Sequence, residues 1–480
     1  MHAIKFGTDG WRDNIQEPYF EETLLIIAHS IVNVLERRNL LKRGLVVSYD
    51  TRKNSRKMAE EICEHIVANE GFPLYFTKRD TPTPVIAHLI KKLSLGGGIM
   101  ITASHNPPQF NGLKFINHNA SPATTIETNA IEREIRKVAK RSLSSHRKFD
   151  EAKSQGLIKV IDPATSYIRR VFDLIDTEIF QRKKLKIVFD PMYGTTRGYL
   201  DKMLKDLKHN VITIHDVPDP NFGGISPDPS PENLFELREM VIRRKADLGI
   251  ACDGDGDRVG FIDKNGRFYS TNSIYPIILY NILKKGDYGG IARTVITTRT
   301  VDKIAKKFNI PVYETPVGSK WLATLFLKKR LLLAGEATGG LIFRGHIPER
   351  DGMLTGLKLV ETLLERDVPL SSLSDEIGHL FGTTFSGSEN IACGSENDKK
   401  LIMELIEKKA EVFKRKIGAE RLRKVDGILF EFSDGSWLHM RPSGTEPLFR
   451  IIAESTSDKK ISCILSDAKE FIKEIFLQSH

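Results

Sequence analysis

The sequence predicts an α/β protein of several layered units, closed by a smaller α+β segment. Three observations predict it. Short apolar runs of strand length alternate with stretches whose apolar residues recur at helical spacing. Three successive blocks share one order: a strand, a polar loop rich in charge and glycine, then a helix-length segment, with no close sequence repeat between them. The last hundred residues or so instead group β-rich runs between two long charged helical patterns. At roughly 150 residues per domain, 480 residues predict about three domains, with two to four in range.

The elements follow in order. Leu24, Ile27, Ile31, Val34 and Leu35 take a helical spacing, Leu45 to Tyr49 reads as a buried strand, and Met58, Ile62 and Ile66 mark the next helix. A short strand, Ile99 to Thr102, runs into a Pro-rich polar loop. The second block offers LKIVFD (Leu185 to Asp190), NVITIHD (Asn210 to Asp216) and ADLGIACD (Ala246 to Asp253) as strands. After the turn signal Asp263-Lys264-Asn265-Gly266, the third block offers TVITT (Thr294 to Thr298), PVYET (Pro311 to Thr315) and LLLAGE (Leu331 to Glu336). A charged helix near Asp398 to Lys416, β-rich runs joined by Asp434-Gly435 and by RPSGTEP, and a helix from about Lys459 to Leu477 complete the chain. Boundaries are expected near 155–162, 264–268 and 375–385, which divides the chain into 1–158, 159–266, 267–378 and 379–480.

Composition narrows the function classes. Apolar residues at 40% and charged residues at 28% exclude a mostly disordered or low-complexity chain. No apolar run approaches the roughly 18–20 residues needed to span a bilayer, and MHAIKFGTDGWR contains no apolar signal core, so no membrane association and a cytoplasmic location are expected. Cys63, Cys252, Cys393 and Cys463 form no CxxC pair and are expected to be ordinary reduced thiols. The excess of 72 basic over 62 acidic residues, +10, is thin over this length, and clusters such as Arg182-Lys183-Lys184 are short and lack interleaved aromatics. No nucleic-acid partner is expected; an anionic small ligand suits the same charge.

Four loops carry the chemistry. In Thr102-Ala103-Ser104-His105-Asn106-Pro107, a serine stands just past a buried strand, where α/β sheets present reactive groups. It is either a turn residue or cap, or a phosphoryl carrier served by His105 and by Lys114 ten residues on. In Asp253-Gly254-Asp255-Gly256-Asp257-Arg258, three carboxylates repel unless a cation neutralises them, and the glycines let the backbone curl around one ion. A solvated acidic turn is the plain alternative. An EF-hand fails, because Arg258 stands where Gly is needed and Lys264 where the bidentate Glu belongs. Three monodentate carboxylates plus a phosphate oxygen suit Mg²⁺, and Arg258 suits phosphate oxygens. In Gly335-Glu336-Ala337-Thr338-Gly339-Gly340, Glu336 and the Thr338 hydroxyl either hold vicinal sugar hydroxyls or form a turn. In Arg441-Pro442-Ser443-Gly444-Thr445-Glu446-Pro447, a guanidinium, two hydroxyls and exposed backbone N–H groups make either a phosphate cradle or a simple β-turn.

Together, in this order and spacing, the four loops resemble those of the α-D-phosphohexomutase superfamily, which includes phosphoglucomutases, phosphomannomutases and phosphoglucosamine mutases. The resemblance runs from Gly7-Thr8-Asp9-Gly10-Trp11-Arg12 to RPSGTEP. It implies four domains, three of a shared mixed α/β type and a C-terminal α+β domain, around a central cleft. It implies phosphorylation of Ser104, Mg²⁺ held by Asp253, Asp255, Asp257 and that phosphoserine, and sugar selection by Glu336 and Thr338. It further implies a phosphate grip by Arg441, Ser443, Gly444 and Thr445, with Arg12 and Lys320 (in Gly318-Ser319-Lys320) as further substrate contacts. The GEATGG loop with Gly345-His346-Ile347-Pro348-Glu349-Arg350-Asp351-Gly352 is most similar to GEESGG-type enzymes, with Ala337 in place of the second Glu and Thr338 in place of Ser.

The implied reaction interconverts hexose 1- and 6-phosphates, of glucose and also of mannose, through phosphoserine and a hexose 1,6-bisphosphate that also serves as activator. Ser104, His105, Lys114 and Arg258 are the expected catalytic set, with Lys114 or His105 as the base. A monomer or homodimer is expected. Glucosamine phosphate is the nearest alternative substrate; a phosphoserine metallohydrolase and a non-catalytic sugar-phosphate sensor are the others. The whole reading requires Ser104 to meet the acidic loop in space.

Overall fold

The structure is a computed structural model that describes residues 4, 6–7, 10–67, 71–139, 147–393, 396–443 and 448–479. Four sheets organise these residues, three mixed and one wholly antiparallel, so the chain is a four-domain α/β protein.

The first sheet runs Trp11–Asn14, Phe110–Asn117, Gly97–Ile101, Leu45–Tyr49, Leu74–Thr77, Ile158–Ile161. Its last four strands are parallel neighbours, and the first two are antiparallel. Leu45–Tyr49 and Gly97–Ile101 are buried at every position, the pattern of parallel strands covered on both faces by helices. The helix Phe20–Arg37 buries Leu24, Ile27, Ile31, Val34 and Leu35 against this sheet's core, and Thr125–Val138 opens with a capping box between Thr124 and Glu127.

The second sheet runs Phe268–Ser270, Val259–Asp263, Leu248–Cys252, Lys186–Asp190, Asn210–Thr213, and the third runs Val312–Thr315, Gly290–Thr294, Leu331–Gly335, Ile342–Phe343. By pairing, Ile158–Ile161 belongs to the first sheet and Phe268–Ser270 to the second. The second and third units share one continuous core, in which Ile250 and Phe261 sit with Tyr275, Leu333 and Met353.

All three mixed sheets repeat one device. The last parallel strand ends in a polar loop, and the chain returns antiparallel beside it: Gly97–Ile101 to Phe110–Asn117, Leu248–Cys252 to Val259–Asp263, Leu331–Gly335 to Ile342–Phe343. This corrects the expected order of strand, loop, helix. The return strand Val259–Asp263 is buried at every position, so its sequence shows no alternation that would mark it as a strand.

TVITT is a second correction. The strand is Gly290–Thr294, and Val295 to Thr298 form a turn ahead of the helix Thr300–Lys307. The β-branched threonines serve that turn through their hydroxyls: Thr297 Oγ1 accepts the Thr294 N–H at 3.2 Å and lies 2.9 Å from Thr294 Oγ1. The strand itself was hidden by Gly290, with Gly289 just ahead of it, and by Arg293, which is buried because Asp302 and Glu314 pair with it.

The C-terminal sheet runs Phe385–Ala392, Leu448–Ser455, Trp437–Pro442, Ile428–Glu431, Arg421–Lys424, with the helices Glu396–Lys416 and Asp458–Ser479 packed on it. The rings of Phe413 and Phe471 stack at 4.1 Å between those helices. This domain has its own core and meets the third unit through Leu429 and Trp437 against Val295 and Ile296. Among the described residues, no helix is long and apolar enough to cross a membrane.

Candidate active site

Loops of all four domains line one cleft of about 580 Å³. Arg12, Ser104 and His105 come from the first domain and Arg258 from the second. Glu336 and Thr338 come from the third, Arg441 and Ser443 from the fourth. Each mixed-sheet loop leaves the C-terminal end of a parallel strand, where strand polarity concentrates binding groups in open α/β sheets.

Ser104 holds a left-handed backbone, φ +52°, and is buried apart from its face on the cleft. Its Oγ donates to Asp253 Oδ2 at 2.9 Å, and His105 Nδ1 lies 3.4 Å from the same Oγ. Burial, then the charges of Arg258 and Arg12, hold the His105 imidazole well below its ordinary pKa, so it is neutral at pH 7.

Asp253, Asp255 and Asp257 are fully buried, with ligand oxygens all within 4.8 Å of one another. Lys114 Nζ bridges Asp255 Oδ2 at 2.7 Å and Asp257 Oδ2 at 2.8 Å. The Thr83 hydroxyl donates to Asp255 Oδ2 at 2.7 Å, across the interface between the first two domains. Burial, then the Asp255 and Asp257 carboxylates, push the Asp253 carboxyl well above the usual range. For Asp255 burial acts upward too, but Lys114 and Thr83 outweigh it and hold that carboxyl low. Asp255 Oδ1 and Asp257 Oδ1 are buried and accept no hydrogen bond. Two orphaned carboxylate oxygens and a third acid that resists ionising are the features a divalent cation would correct. The donor set, oxygen only and close to a phosphorylatable hydroxyl, fits Mg²⁺.

The close fit of domains depends on glycine. A Cβ on Gly254 would stand 2.8 Å from Ser104 O, and one on Gly340 would stand 2.7 Å from Asp257 O, so neither site admits a side chain without a shift.

Several groups were missed in the sequence. Arg350 joins Glu336 to Asp257, donating to a carboxylate oxygen of each, so Glu336 and the acidic loop share one cation. Asp228 pairs with Arg258 at 3.2 Å and lines the cleft, as does Arg450. Asp50 and Arg52, just past the strand Leu45–Tyr49, hold the Ser104 loop from beneath. The readable signal was a charged pair directly after a buried strand.

The expected substrate contacts are placed unequally. Arg12 reaches Asn106 Oδ1 at 2.8 Å and stands on the cleft wall. Arg441 Nε sits 3.3 Å from Asp426 Oδ2, and the buried Lys399 donates to Ser443 O at 3.0 Å. Lys320 is not on the cleft wall, where Gly318 and Ser319 stand; its Nζ lies 5.3 Å over the Trp321 ring. Gly444 and Thr445, like Thr8 and Asp9, lie outside the described residues. Ala337 packs beside the apolar contact of Ile296 with Trp437, which gives the missing acid an apolar replacement.

Family models of Phosphoglucomutase/phosphomannomutase match nearly the whole chain: alpha/beta/alpha domain I at residues 3–142, domain II at 165–266, domain III at 270–380, and the C-terminal domain at 392–470. The chain belongs to the phosphoglucomutase/phosphomannomutase family. It is therefore a mutase enzyme of the α-D-phosphohexomutase type. It is 30% identical over 455 residues to the phosphoglucomutase/phosphomannomutase of Thermococcus kodakarensis, covering 95% of each chain. It is also 30% identical over 471 residues to a protein of Methanosphaera stadtmanae named probable phosphoglucosamine mutase, covering 98% of each. Among solved structures, the open form of parafusin, a phosphoglucomutase of Paramecium, has the same fold with a TM-score of 0.82 at 23% identity, covering 99% of this chain and 95% of that one.

Proposed function

We propose that this phosphohexomutase-family enzyme interconverts hexose 1-phosphate and hexose 6-phosphate through a phosphoserine at Ser104. Glucose is the leading sugar and mannose a second. The observation that carries this reading is the 2.9 Å contact of Ser104 Oγ with Asp253, on a cleft that the fourth domain lines with Arg441 and Ser443. The groups around Ser104 suit a transferring phosphoryl group, and those of the fourth domain suit a phosphate that stays on the sugar.

Asp253, Asp255 and Asp257, with an oxygen of the Ser104 phosphoryl group, would hold Mg²⁺. When bound, that ion supplies positive charge against the phosphoryl oxygens. Arg258 adds a guanidinium from the cleft wall. Glu336, oriented by Arg350, and Thr338 would accept and donate hydrogen bonds to sugar hydroxyls. Arg441, Ser443, Gly444 and Thr445 would hold the non-reacting phosphate, with Arg12 beside the transferring one.

Phosphoryl transfer demands in-line positioning and charge stabilisation above all. The phosphorus–Oγ bond of Ser104 breaks as the sugar hydroxyl oxygen bonds phosphorus; His105 takes that hydroxyl's proton and hands it to the leaving Ser104 oxygen, which is released as a hydroxyl. His105 suits the role because its imidazole is neutral and next to Ser104, whereas Lys114 is engaged by two carboxylates. The resulting hexose 1,6-bisphosphate turns over in the cleft. Its other phosphoryl group then returns to Ser104: Oγ bonds phosphorus as the phosphorus–sugar oxygen bond breaks, and His105 takes the Ser104 proton and passes it to the freed sugar oxygen.

A second reading is favoured by a specific observation: a relative of equal identity is named for glucosamine phosphate. The test is a mutase assay with glucose, mannose and glucosamine 1-phosphates, with Mg²⁺ and a trace of the matching bisphosphate. Conversion of glucose 1-phosphate with the highest kcat/KM is expected. A dominant glucosamine rate moves the assignment to the second reading. Net release of inorganic phosphate without isomerisation rejects both.

A further inference from the structure

We infer that Arg52 is a positioning residue that sets the Ser104 loop in register with the acidic loop, and so controls the rate of phosphoryl transfer without touching substrate. The inference rests on the mutase reading above.

Arg52 is 3% exposed and is not part of the cleft wall. Its two terminal nitrogens are spent on one loop. Nη2 donates to Ser104 O at 2.7 Å and Asn106 O at 2.6 Å, and Nη1 donates to Pro107 O at 2.8 Å and Phe110 O at 2.9 Å. Four carbonyls of a seven-residue arc thus close on a single planar fork, a geometry that an ammonium cannot reproduce.

The other end of the Ser104 peptide is tied to the same pair. The Ser104 N–H donates to Thr102 Oγ1 at 2.8 Å, and that hydroxyl donates to Asp50 Oδ2 at 2.6 Å. Asp50 Oδ2 lies 3.2 Å from Arg52 Nε, and Asp50 Oδ1 accepts the Arg52 N–H at 2.9 Å. Both sides of Ser104 are therefore anchored to Asp50 and Arg52, two positions one residue apart just past the end of a buried strand. A left-handed serine persists only where its surroundings over-determine it, and these bonds do so.

The link to the acidic loop runs through one aromatic ring. The ring of Phe222, from the second domain, stacks at 4.9 Å on the Arg52 guanidinium. Phe222 and Ser104 O both border Gly254, at 3.5 Å and 2.8 Å from the place a Cβ would occupy. Arg52 therefore touches the Ser104 loop itself and reaches the acidic loop through Phe222, the two parts whose separation sets the contact of Ser104 Oγ with Asp253.

The test compares wild type with Arg52→Lys and Phe222→Leu in kcat, KM for sugar 1-phosphate, thermal midpoint, and hydrogen exchange of the segment 102–112. A displacement of about 1 Å at a reacting group lowers rate by about 10²-fold. Arg52→Lys is expected to lose about that much kcat while KM stays within about threefold, with faster exchange confined to 102–112. Phe222→Leu removes the stacked ring while keeping an apolar side chain at that buried position, and is expected to cost about tenfold in kcat. Wild-type kcat and exchange in a folded Arg52→Lys overturn the inference. If Arg52→Lys does not fold, Phe222→Leu decides, and wild-type kcat there overturns it. A wild type inactive on every sugar phosphate, with the exchange difference intact, removes the mutase reading and upholds the anchoring role.

Discussion

Ser104 Oγ and Asp253 Oδ2 are joined by a 2.9 Å hydrogen bond although 149 residues separate them in the chain. Each residue ends a parallel strand of its own sheet, and the two sheets are docked through the Thr83 contact to Asp255 and the bare backbone of Gly254. A hydroxyl and an acidic ion site are thereby brought to one point by the packing of two domains. The chemistry proposed for the enzyme depends on that point.

The first prediction concerns the nucleophile. Ser104→Ala should fold normally and lose mutase turnover, and it should take up no phosphate from hexose 1,6-bisphosphate. Intact mass measured before and after exposure to the bisphosphate checks both variant and wild type. Full turnover by the alanine variant would sink the phosphoserine scheme.

Removing the divalent ion should abolish turnover, and adding Mg²⁺ should restore it. An ion that binds only the folded state adds about 2.7 kcal/mol at a concentration about 100 times its Kd. The thermal midpoint of wild type should therefore rise with Mg²⁺. Asp255→Asn, which deletes one charge of the triad, should lose most of that rise. An equal rise in both proteins would place the ion elsewhere.

Arg441→Ala should raise KM far more than it lowers kcat, because its proposed partner is the phosphate that does not react. A hydrogen bond to a charged group contributes about 1.5–3 kcal/mol, roughly 10- to 150-fold in KM. Steady-state kinetics check this, and inorganic phosphate should weaken as a competitive inhibitor in parallel. A fall confined to kcat would assign Arg441 to the transferring group instead.

Gly254→Ala tests the domain junction. The new methyl would stand 2.8 Å from Ser104 O, so one backbone must move. Overpacking of this kind costs about 1–3 kcal/mol of stability. The midpoint should fall and kcat should fall with it, whereas KM for sugar phosphate should move little. An unchanged kcat would show that the junction tolerates the displacement.

The pH dependence of stability should carry a signature of His215. Burial lowers its affinity for a proton, but hydrogen bonds to Asp190 at 3.0 Å and Glu236 at 2.9 Å prevail and raise its pKa to about 9. A group raised above its unfolded value, near 6.5, contributes fully at lower pH and loses that contribution as pH climbs through 9. The stability gap between wild type and His215→Gln should therefore shrink from pH 6 to pH 10. Thermal midpoints across that range check it; a widening gap would contradict it.

Much of the fold was legible because buried parallel strands announce themselves as short apolar runs. LVVSY at Leu45–Tyr49 and LLLAG at Leu331–Gly335 are examples, and the long C-terminal helices carry a clear period. Val259–Asp263 was not, because a strand buried on both faces lacks alternation, and Gly290–Thr294 was not, because its buried Arg293 is explained only by partners on other elements.

The candidate site divides the same way. The acidic triad is a local pattern whose residue types call for a cation, whereas the serine loop and the RPSGTEP arginine, each of which alone could be a turn, pointed to phosphate only in combination with it. Arg350, Asp228 and Arg52 look like ordinary surface charges until their neighbours are known.

The chain itself determined which strand ends carry reactive groups, since a Ser, three Asp and a Glu follow buried strands by covalent order alone. Tertiary packing decided their counter-charges: Lys114 with Asp257 across 143 residues, and Arg350 with Asp257 across 93. Coulombic and hydrogen-bonding forces act over a few ångströms and are screened beyond about ten. Distance along the backbone therefore says nothing about such partnerships, and only the docking of one sheet against the next brings them into range.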